Sequence, residues 1–563
     1  MIFKSKQPDI DLPRDITTWR WLFDSPASPI GRDADSEIRG FTNVGTGERI
    51  SYIDVKKYTT YLSTALARQF GFQKGETVAL FAPNTIWYPV AMLGVNRIAG
   101  VVSGASPAYN VEEMTYALKT AGAKFLMTVP GSMDVAAAAA EAAGIKKKHV
   151  FLLEGELEGF TTMKQLLELG RSFGEEGQVP AYTLAKGETN FDLCGFLSFS
   201  SGTTGLPKAV MIAHQNVIAQ CLQIQQITPS THRKVLAVLP SFHITGLVHA
   251  LHLPILLNAE VYMLPSFTMK SMLDTIVKYQ IGELLLVPPI LIRMVRDPIV
   301  NEYDLRHVTR FSSGAAPLSP EILKLLQEKY PWTGFKQGYG MTESCSCITA
   351  HPPERYSYDY AHTVGTICAS TEVKIIDEDG AELGIDQPGE LLARGPQIVM
   401  GYLNNPAATQ ATFDQDGWLH TGDQVVIDAE GVVTVTDRIK EMIKVKGIGV
   451  APAELEDLLL GHPLVEDVAV LGIPDEYSGE KPKAFVVRQA SARVSEQELG
   501  ELLLKYVREK KVRHKWLKEV EFLDVVPKSA SGKILRRLLR DKQKSGDGRG
   551  VVVREKVAEK ARL

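Results

Sequence analysis

Helical and strand-like patterns alternate along the first third of the chain, and no other feature restricts the fold as much. Residues 52–70 carry apolar side chains at helical spacing, Gly75 punctuates, and 77–81 is a short apolar strand. The unit repeats twice: a helix over 86–98 with a strand over 100–103, then a helix over 111–121 with a strand over 124–128. Alternating units of this kind predict a parallel sheet with helices packed on both faces. The alanine run Ala136–Ala140 is a further helix signal. Similar runs continue from Val235 to Val287, with Pro and Gly at the turns. After about Gly365 the texture changes to short strands separated by Asp379-Gly380, Asp416-Gly417 and Glu430-Gly431, which predicts hairpins or a small barrel.

At 563 residues the chain exceeds what one hydrophobic core organises. Past Asp437 a compact α+β unit is expected, with a helix over 452–461, strands over 465–472 and 484–487, and a helix over 495–511. Ser495 is the expected N-cap of that last helix, and Glu498 completes a capping box. The boundary is placed at the charged string Asp437-Arg438-Ile439-Lys440-Glu441. The expected division is therefore 1–437, 438–540 and a flexible, polar tail over 541–563.

Composition narrows the function. The formal charge of −4, from 62 basic and 66 acidic residues, does not point to nucleic acid as a partner. No run of 18 apolar residues is present, so no membrane span is expected, and Met1–Pro8 lacks the apolar core of a secretory signal. Five scattered cysteines do not make a disulfide framework, and Cys345 and Cys347 have no second pair at zinc spacing. The chain ends Ala561-Arg562-Leu563, a relaxed form of the Ser-Lys-Leu address read by the peroxisomal import receptor. The expected location is the peroxisome, with the cytoplasm as the alternative.

The chemistry begins at Ser200-Ser201-Gly202-Thr203-Thr204-Gly205-Leu206-Pro207-Lys208, which follows the apolar run Phe196–Phe199. Gly202 and Gly205 open backbone conformations in which successive N–H groups converge on an anion. Four hydroxyls and Lys208 add donors and charge suited to a nucleotide triphosphate. Composition alone also fits a surface loop, but no Gly-Lys-Ser/Thr closes the string, so it is not a Walker A loop. Further along stand Gln337-Gly338-Tyr339-Gly340-Met341-Thr342-Glu343, then Trp418-Leu419-His420-Thr421-Gly422-Asp423, and finally Ser531-Gly532-Lys533-Ile534. Each of these, read alone, is equally a turn or a charged surface segment.

Together, and in this order from about Tyr52 to Arg537, these segments resemble the adenylate-forming enzymes, which include acyl-CoA synthetases, 4-coumarate:CoA ligases, luciferases and peptide-synthetase adenylation domains. The resemblance implies a large α/β domain of parallel-sheet layers with a small barrel-like part, followed by a small, mobile α+β domain. It implies that Ser200 to Lys208 holds phosphates, Tyr339 stacks on adenine, Thr342 contacts the α-phosphate, and Glu343 binds magnesium. It likewise assigns Asp423 to the ribose hydroxyls, Arg438 to ribose and phosphate, and Lys440 to the hinge. Lys533 would contact the carboxylate and α-phosphate during adenylation, while Lys444, Lys446 and Gly447 would face CoA afterwards.

Pro240–Gly246 resembles the segment in which a histidine lies between the acyl pocket and the thiol tunnel, making His243 a gate and pocket wall. Ser313, Gly314 and Ala315 match the pocket loop of 4-coumarate ligase-like members, and Thr245, Gly338, Gly340 and Met341 complete the expected pocket. Two positions depart from the family pattern: Ala209 where Gly is common, and Gly449 where related enzymes often carry Gln.

The expected activity is ligation of a carboxylic acid, aryl or medium-chain, to CoA, using ATP and magnesium. The alternative is a stand-alone adenylation enzyme that loads a separate carrier protein. Luciferase-type oxygenation fits less well, because Phe242 stands where luciferases carry a second histidine. A nucleotide-binding protein without catalysis is the non-enzymatic reading; Gly449 is its only support, and Lys208, Glu343, Asp423, Arg438 and Lys533 argue against it.

Overall fold

The computed structural model describes residues 1–32, 37–200, 206–314, 318, 320–446, 448–490, 492–529, 532–545 and 550–555. In the first third, strands Thr77–Phe81, Val101–Ala105, Ala123–Thr128 and Val150–Leu152 pair in parallel within an eight-stranded sheet. The helices between them begin and end where local chemistry dictates. Ser51 caps helix Tyr52–Phe70 and forms a capping box with Asp54, and Gly71 closes the helix in the left-handed region at φ 69°. Helix Trp87–Arg97 is apolar all round and buried along its whole length. Strand Cys194–Ser200 joins Val101–Ala105 in parallel, and Lys208–Ala213 returns antiparallel beside it.

A second sheet positions the other half of the site. Strands Glu283–Leu286, Arg310–Ser313 and Gly334–Met341 run parallel, and Ser346–Ala350 and Thr366–Ile367 continue the sheet antiparallel. Side chains alternate across its two faces. Leu284, Leu286, Phe311 and Phe335 pack with Met272, Ile276, Leu291, Met294 and Leu326 in an apolar core. Glu283, Leu285, Ser312 and Lys336 lie on the opposite face and line a cavity. The hairpins expected after Gly365 appear in an antiparallel sheet ordered 2–4, 372–376, 389–394, 419–427, 433–438.

The remainder is a small α+β unit. Its sheet contains strands Ile443–Val445, Ile448–Val450, Val465–Asp475, Gly479–Arg488 and Glu519–Phe522. Helices Pro452–Leu460 and Glu496–Lys510 pack on it, and the Ser495 and Glu498 capping box is present. Arg296, at the end of helix Pro288–Arg296 in the large domain, donates to the carbonyls of Leu460 and Val465 across the junction. Among the described residues no helix is long and apolar enough to cross a membrane.

Two segments differ from expectation. Residues 246–257 are buried as expected, but Gly246–His252 form a π-helix that becomes an α-helix only at Leu253–Leu257. Pro254 has no N–H for the preceding turn, which disfavours a continuous α-helical ladder there. The tail is the second correction. Helix Arg536–Ser545 continues beyond residue 541, and Val552–Arg554 adds an antiparallel strand beside Glu519–Phe522. Three successive valines, Val551 to Val553, make that pairing favourable. Val553 is buried over Gly500, where a side chain on the glycine would collide with it. The address Ala561-Arg562-Leu563 lies outside the described residues.

Val553→Asp places a charge in the small domain's core and should cost about 3 kcal/mol of stability. Denaturant unfolding of the full chain checks this; an unchanged transition would return residues 550–555 to the status of a tail.

Candidate active site

A cavity of about 730 Å³ lies where the two parallel sheets, the antiparallel sheet and the small domain meet. At one end, Lys208 pairs with Ser200 across the two strands that flank the glycine-rich loop, and both residues line the cavity. Ser201, Gly202, Thr203, Thr204 and Gly205 lie outside the described residues. Ala209 occupies ordinary strand backbone opposite Phe199, so the departure from glycine carries no backbone strain. The Lys208 ammonium lies 4.8 Å from the centroid of the Tyr402 ring. The Tyr402 hydroxyl in turn donates to Glu343 Oε1 at 2.8 Å.

Strand Gly334–Met341 turns through Thr342–Ser344 to deliver Thr342 and Glu343 to the cavity, both buried. Gly340 is required by this bend, because a Cβ there would lie 1.6 Å from the Ser346 carbonyl oxygen. Gly338, Gly340 and Met341 line the cavity, and the ladder to Ser346–Ala350 shifts register between Tyr339 and Gly340. The Tyr339 ring, expected to stack on adenine, is half-buried beside them. It packs toward the core of the antiparallel sheet, and its hydroxyl donates to Asp423 Oδ2 at 2.8 Å.

Asp423 stands on strand Leu419–Ile427 directly opposite Arg438 on Val433–Arg438, with Arg438 Nε 3.4 Å from Asp423 Oδ1. Burial pushes the Asp423 carboxyl upward, while Arg438, the Tyr339 hydroxyl and Lys533 pull it back. Lys533 arrives from the small domain on a tight turn. Gly532 adopts φ +82° there, and the Ser529 and Lys533 backbones are hydrogen-bonded across the turn. Burial pushes the Lys533 ammonium down to about 8; Arg438 adds to this, and Glu441, Asp423 and Glu343 oppose it. Lys440 also lines the cavity, on the short turn Ile439–Glu441.

The other end of the cavity is larger and mixed in character. His243 Nδ1 accepts the Thr245 N–H at 3.3 Å, and burial pushes the imidazole down to about 4. At neutral pH it is an uncharged wall with its other nitrogen protonated, which suits a gate and excludes a cationic role. Thr245, Ser313, Gly314, Gly338 and Met341 line the same space, and Ser313 Oγ is buried with no hydrogen-bond partner among the described residues. Ala315 lies outside the described residues.

Lys444 and Lys446 stand away from the cavity. Lys444 reaches Glu378 at 3.3 Å, and the Lys446 ammonium sits 3.9 Å from the Tyr477 ring centroid; Gly447 is not among the described residues. Gly449 pairs opposite Lys444, beside Met442. Sequence reading missed His232, His249, Glu283, Lys336 and Tyr402, all of which line the cavity. Glu283 and Lys336 carry a legible signal only once the strand faces are known: they are charged side chains on strands of a sheet whose other face packs Leu284, Leu286, Phe311 and Phe335 into an apolar core.

Comparison with known proteins follows from this geometry. The family model for AMP-binding enzymes matches residues 33–403, and that for the AMP-binding enzyme C-terminal domain matches 454–533. A 4-coumarate–CoA ligase-like protein of Arabidopsis thaliana is 36% identical over 549 residues, covering 96% of this chain and 97% of its own length. A 4-coumarate–CoA ligase of Petroselinum crispum is 35% identical over 560 residues, covering 97% and 98%. Among solved structures, anthranilate CoA ligase AuaEII in complex with anthranoyl-AMP superposes with a TM-score of 0.84 at 22% identity, covering 95% of this chain and 99% of that one. ATP-bound MatB of Rhodopseudomonas palustris gives 0.80 at 25% identity, covering 94% and 99%.

Competitive labelling of lysines across a pH series should show Lys533 titrating near 8, well below the exposed lysines. Arg438→Met should move that titration upward. Lys533 titrating with the exposed lysines would contradict the site's electrostatics.

Proposed function

The chain belongs to the AMP-binding enzyme family and is an ATP-dependent, AMP-forming acid:CoA ligase, and we propose which of its residues perform each half-reaction. A carboxylate oxygen attacks the α-phosphorus of ATP, the bond to pyrophosphate breaks, and an acyl-adenylate forms. The thiolate of CoA then attacks the acyl carbon, and AMP leaves with the oxygen that bridged carbon and phosphorus. The first step brings two anions together, so oriented donors and cations must sit where charge builds up. One observation carries this assignment: Ser200, Lys208, Thr342, Glu343, Asp423, Arg438 and Lys533, distant in sequence, line one cavity.

Lys208 and the Ser200 to Gly205 loop hold the β- and γ-phosphates, and Thr342 contacts the α-phosphate. Asp423, oriented by the Tyr339 hydroxyl and balanced by Arg438, accepts from the ribose hydroxyls through two oxygens. Lys533 supplies positive charge between the carboxylate and the α-phosphate. Glu343 fits magnesium: it offers a buried hard oxygen, and Tyr402 fixes its orientation. Among the described residues no cluster of three potential ligands is present, which agrees with a cation that takes one carboxylate and draws its other ligands from phosphates and water. Bound there, magnesium would neutralise phosphate charge.

Rotation of the small domain about Lys440 would withdraw Lys533 and bring Lys444, Lys446 and Gly447 toward the entering thiol. Lys444 and Lys446 stand away from the cavity, which accords with a separate arrangement for the second step. The acid is aryl or medium-chain, held beside His243, Thr245, Ser313, Gly314, Ala315 and the glycines 338 and 340. CoA is favoured over a carrier protein as acceptor because the curated relatives are CoA ligases. We further propose the peroxisome as location, from Ala561-Arg562-Leu563, with the cytoplasm as the alternative.

Purified protein with ATP, magnesium and CoA, given a panel of aryl and C4–C16 acids, should release AMP and acyl-CoA. Acyl-adenylate without thioester would favour the carrier-protein acceptor. Lys533→Ala should slow adenylation by at least ~10²-fold while largely sparing thioester formation from supplied acyl-adenylate. Equal loss in both half-reactions would sink the role given to Lys533.

A further inference from the structure

The inner end of the cavity holds more positive than negative charge. Parallel register sets Leu285, Ser312 and Lys336 side by side across three strands, with Glu283 and Arg310 in the neighbouring row. All of these face away from the apolar core formed by Leu284, Phe311 and Phe335. Glu283 is the one carboxylate in the group, and its oxygens are already engaged. Arg310 ion-pairs with it, His232 Nδ1 lies 3.0 Å from Oε2, and Ser312 Oγ donates to Oε1 at 2.9 Å. Although burial pushes its carboxyl up, His232, Lys336 and Arg310 hold it well below the usual carboxylate range.

Lys336 lines the cavity with no ion-pair or hydrogen-bond partner among the described residues. The groups that face it from every packed element do not supply one. Glu283 and Arg310 act on it from the adjoining strands, and Cys347 and Cys368 act from the far side with burial-raised thiols. His249, on the π-helix, is hydrogen-bonded to Ser346 at 3.0 Å and held neutral by burial. The Tyr356 ring centroid lies 6.0 Å from the Lys336 ammonium. Arg310 and Lys336 therefore share one carboxylate. Burial pushes the Lys336 ammonium below its ordinary value and Arg310 adds to this, while Glu283 pulls it back. Lys336 is half-buried and opens onto the cavity, where a carboxylate of a bound ligand would complete an ion pair in partly desolvated surroundings.

Lys336 lies two residues before Gly338 on the same strand face, about 7 Å further from the Thr342 and Glu343 end. A group held by Lys336 is therefore remote from the reacting carboxyl. Resting on the reading of this cavity as the acyl pocket, we propose that the enzyme selects acids bearing a second carboxylate at the end remote from the one activated, and that Lys336 is the specificity-determining residue. Its ammonium pairs with that second carboxylate, while Ile224, Val235, Leu253 and Leu285 contact the apolar body between the two ends.

The test is ATP–pyrophosphate exchange with three acid series of matched length, ending in a carboxylate, a neutral hydroxyl or a methyl group. Wild type should prefer the carboxylate-ended acid by ~10²-fold or more in kcat/KM. Lys336→Met should abolish that preference, mainly through KM, and leave exchange with methyl-ended acids unchanged or improved. Lys336→Arg should retain it. Preference of the wild type for hydroxyl- or methyl-ended acids would overturn this inference and leave the ligase reading standing. Proportional loss with all three series in Lys336→Met would assign Lys336 a structural role and likewise overturn it. No exchange with any acid would overturn both.

Discussion

The pairing of Asp423 with Arg438 across two antiparallel strands is the constraint on which the rest of the site depends. The strand that ends at Arg438 leads directly into Ile439–Glu441 and the small domain. Register therefore places the buried carboxylate beside the point where the chain crosses between domains. A carboxylate so withdrawn from water needs a cation, and Arg438 supplies one. The same guanidinium lowers the proton affinity of Lys533, which arrives from the far side of the small domain. The buried Asp423 carboxylate and the placement of the small domain are thus electrostatically coupled through three residues.

That coupling extends into the small domain. Arg536 bridges Glu441 and Glu456, each at 2.6 Å, tying the crossing segment to helix Pro452–Leu460. On the outer side Arg296 donates to the Leu460 carbonyl, which ends that helix where its dipole is negative, and to the Val465 carbonyl at the start of the next strand. These contacts connect the small domain both to the nucleotide end of the cavity and to the large domain's helix. A rotation of the small domain must break the Arg296 contacts, whereas the Arg536 bridges lie within the moving unit.

Much of this was legible in the sequence because the relevant signals are local. Helical spacing and caps located helix Tyr52–Phe70, and Ser495 with Glu498 located helix Glu496–Lys510. The resemblance of the glycine-bearing strings, taken together, to the adenylate-forming enzymes named Lys208, Thr342, Glu343, Asp423 and Lys533, and all five line one cavity. What was missed depends on which face of a strand a residue occupies. The hydrogen bond from the Tyr339 hydroxyl to Asp423, 84 residues away, is not announced by any local pattern. Lys336 and Glu283 are far apart in sequence and gain meaning only when three parallel strands fall into register. Val553 was misjudged for a similar reason: its pairing partner, Val520, lies 33 residues away.

The account's central claim is that activation proceeds through an acyl-adenylate formed within one cavity. Turnover with an acid labelled in both carboxyl oxygens with 18O, followed by mass spectrometry of the products, tests this directly. The carboxylate oxygen that attacks phosphorus must leave with the nucleotide, so AMP should carry one labelled oxygen and pyrophosphate none. Unlabelled AMP, with 18O appearing in pyrophosphate or phosphate, would show attack at a different phosphorus and contradict the roles assigned to Thr342 and Lys533.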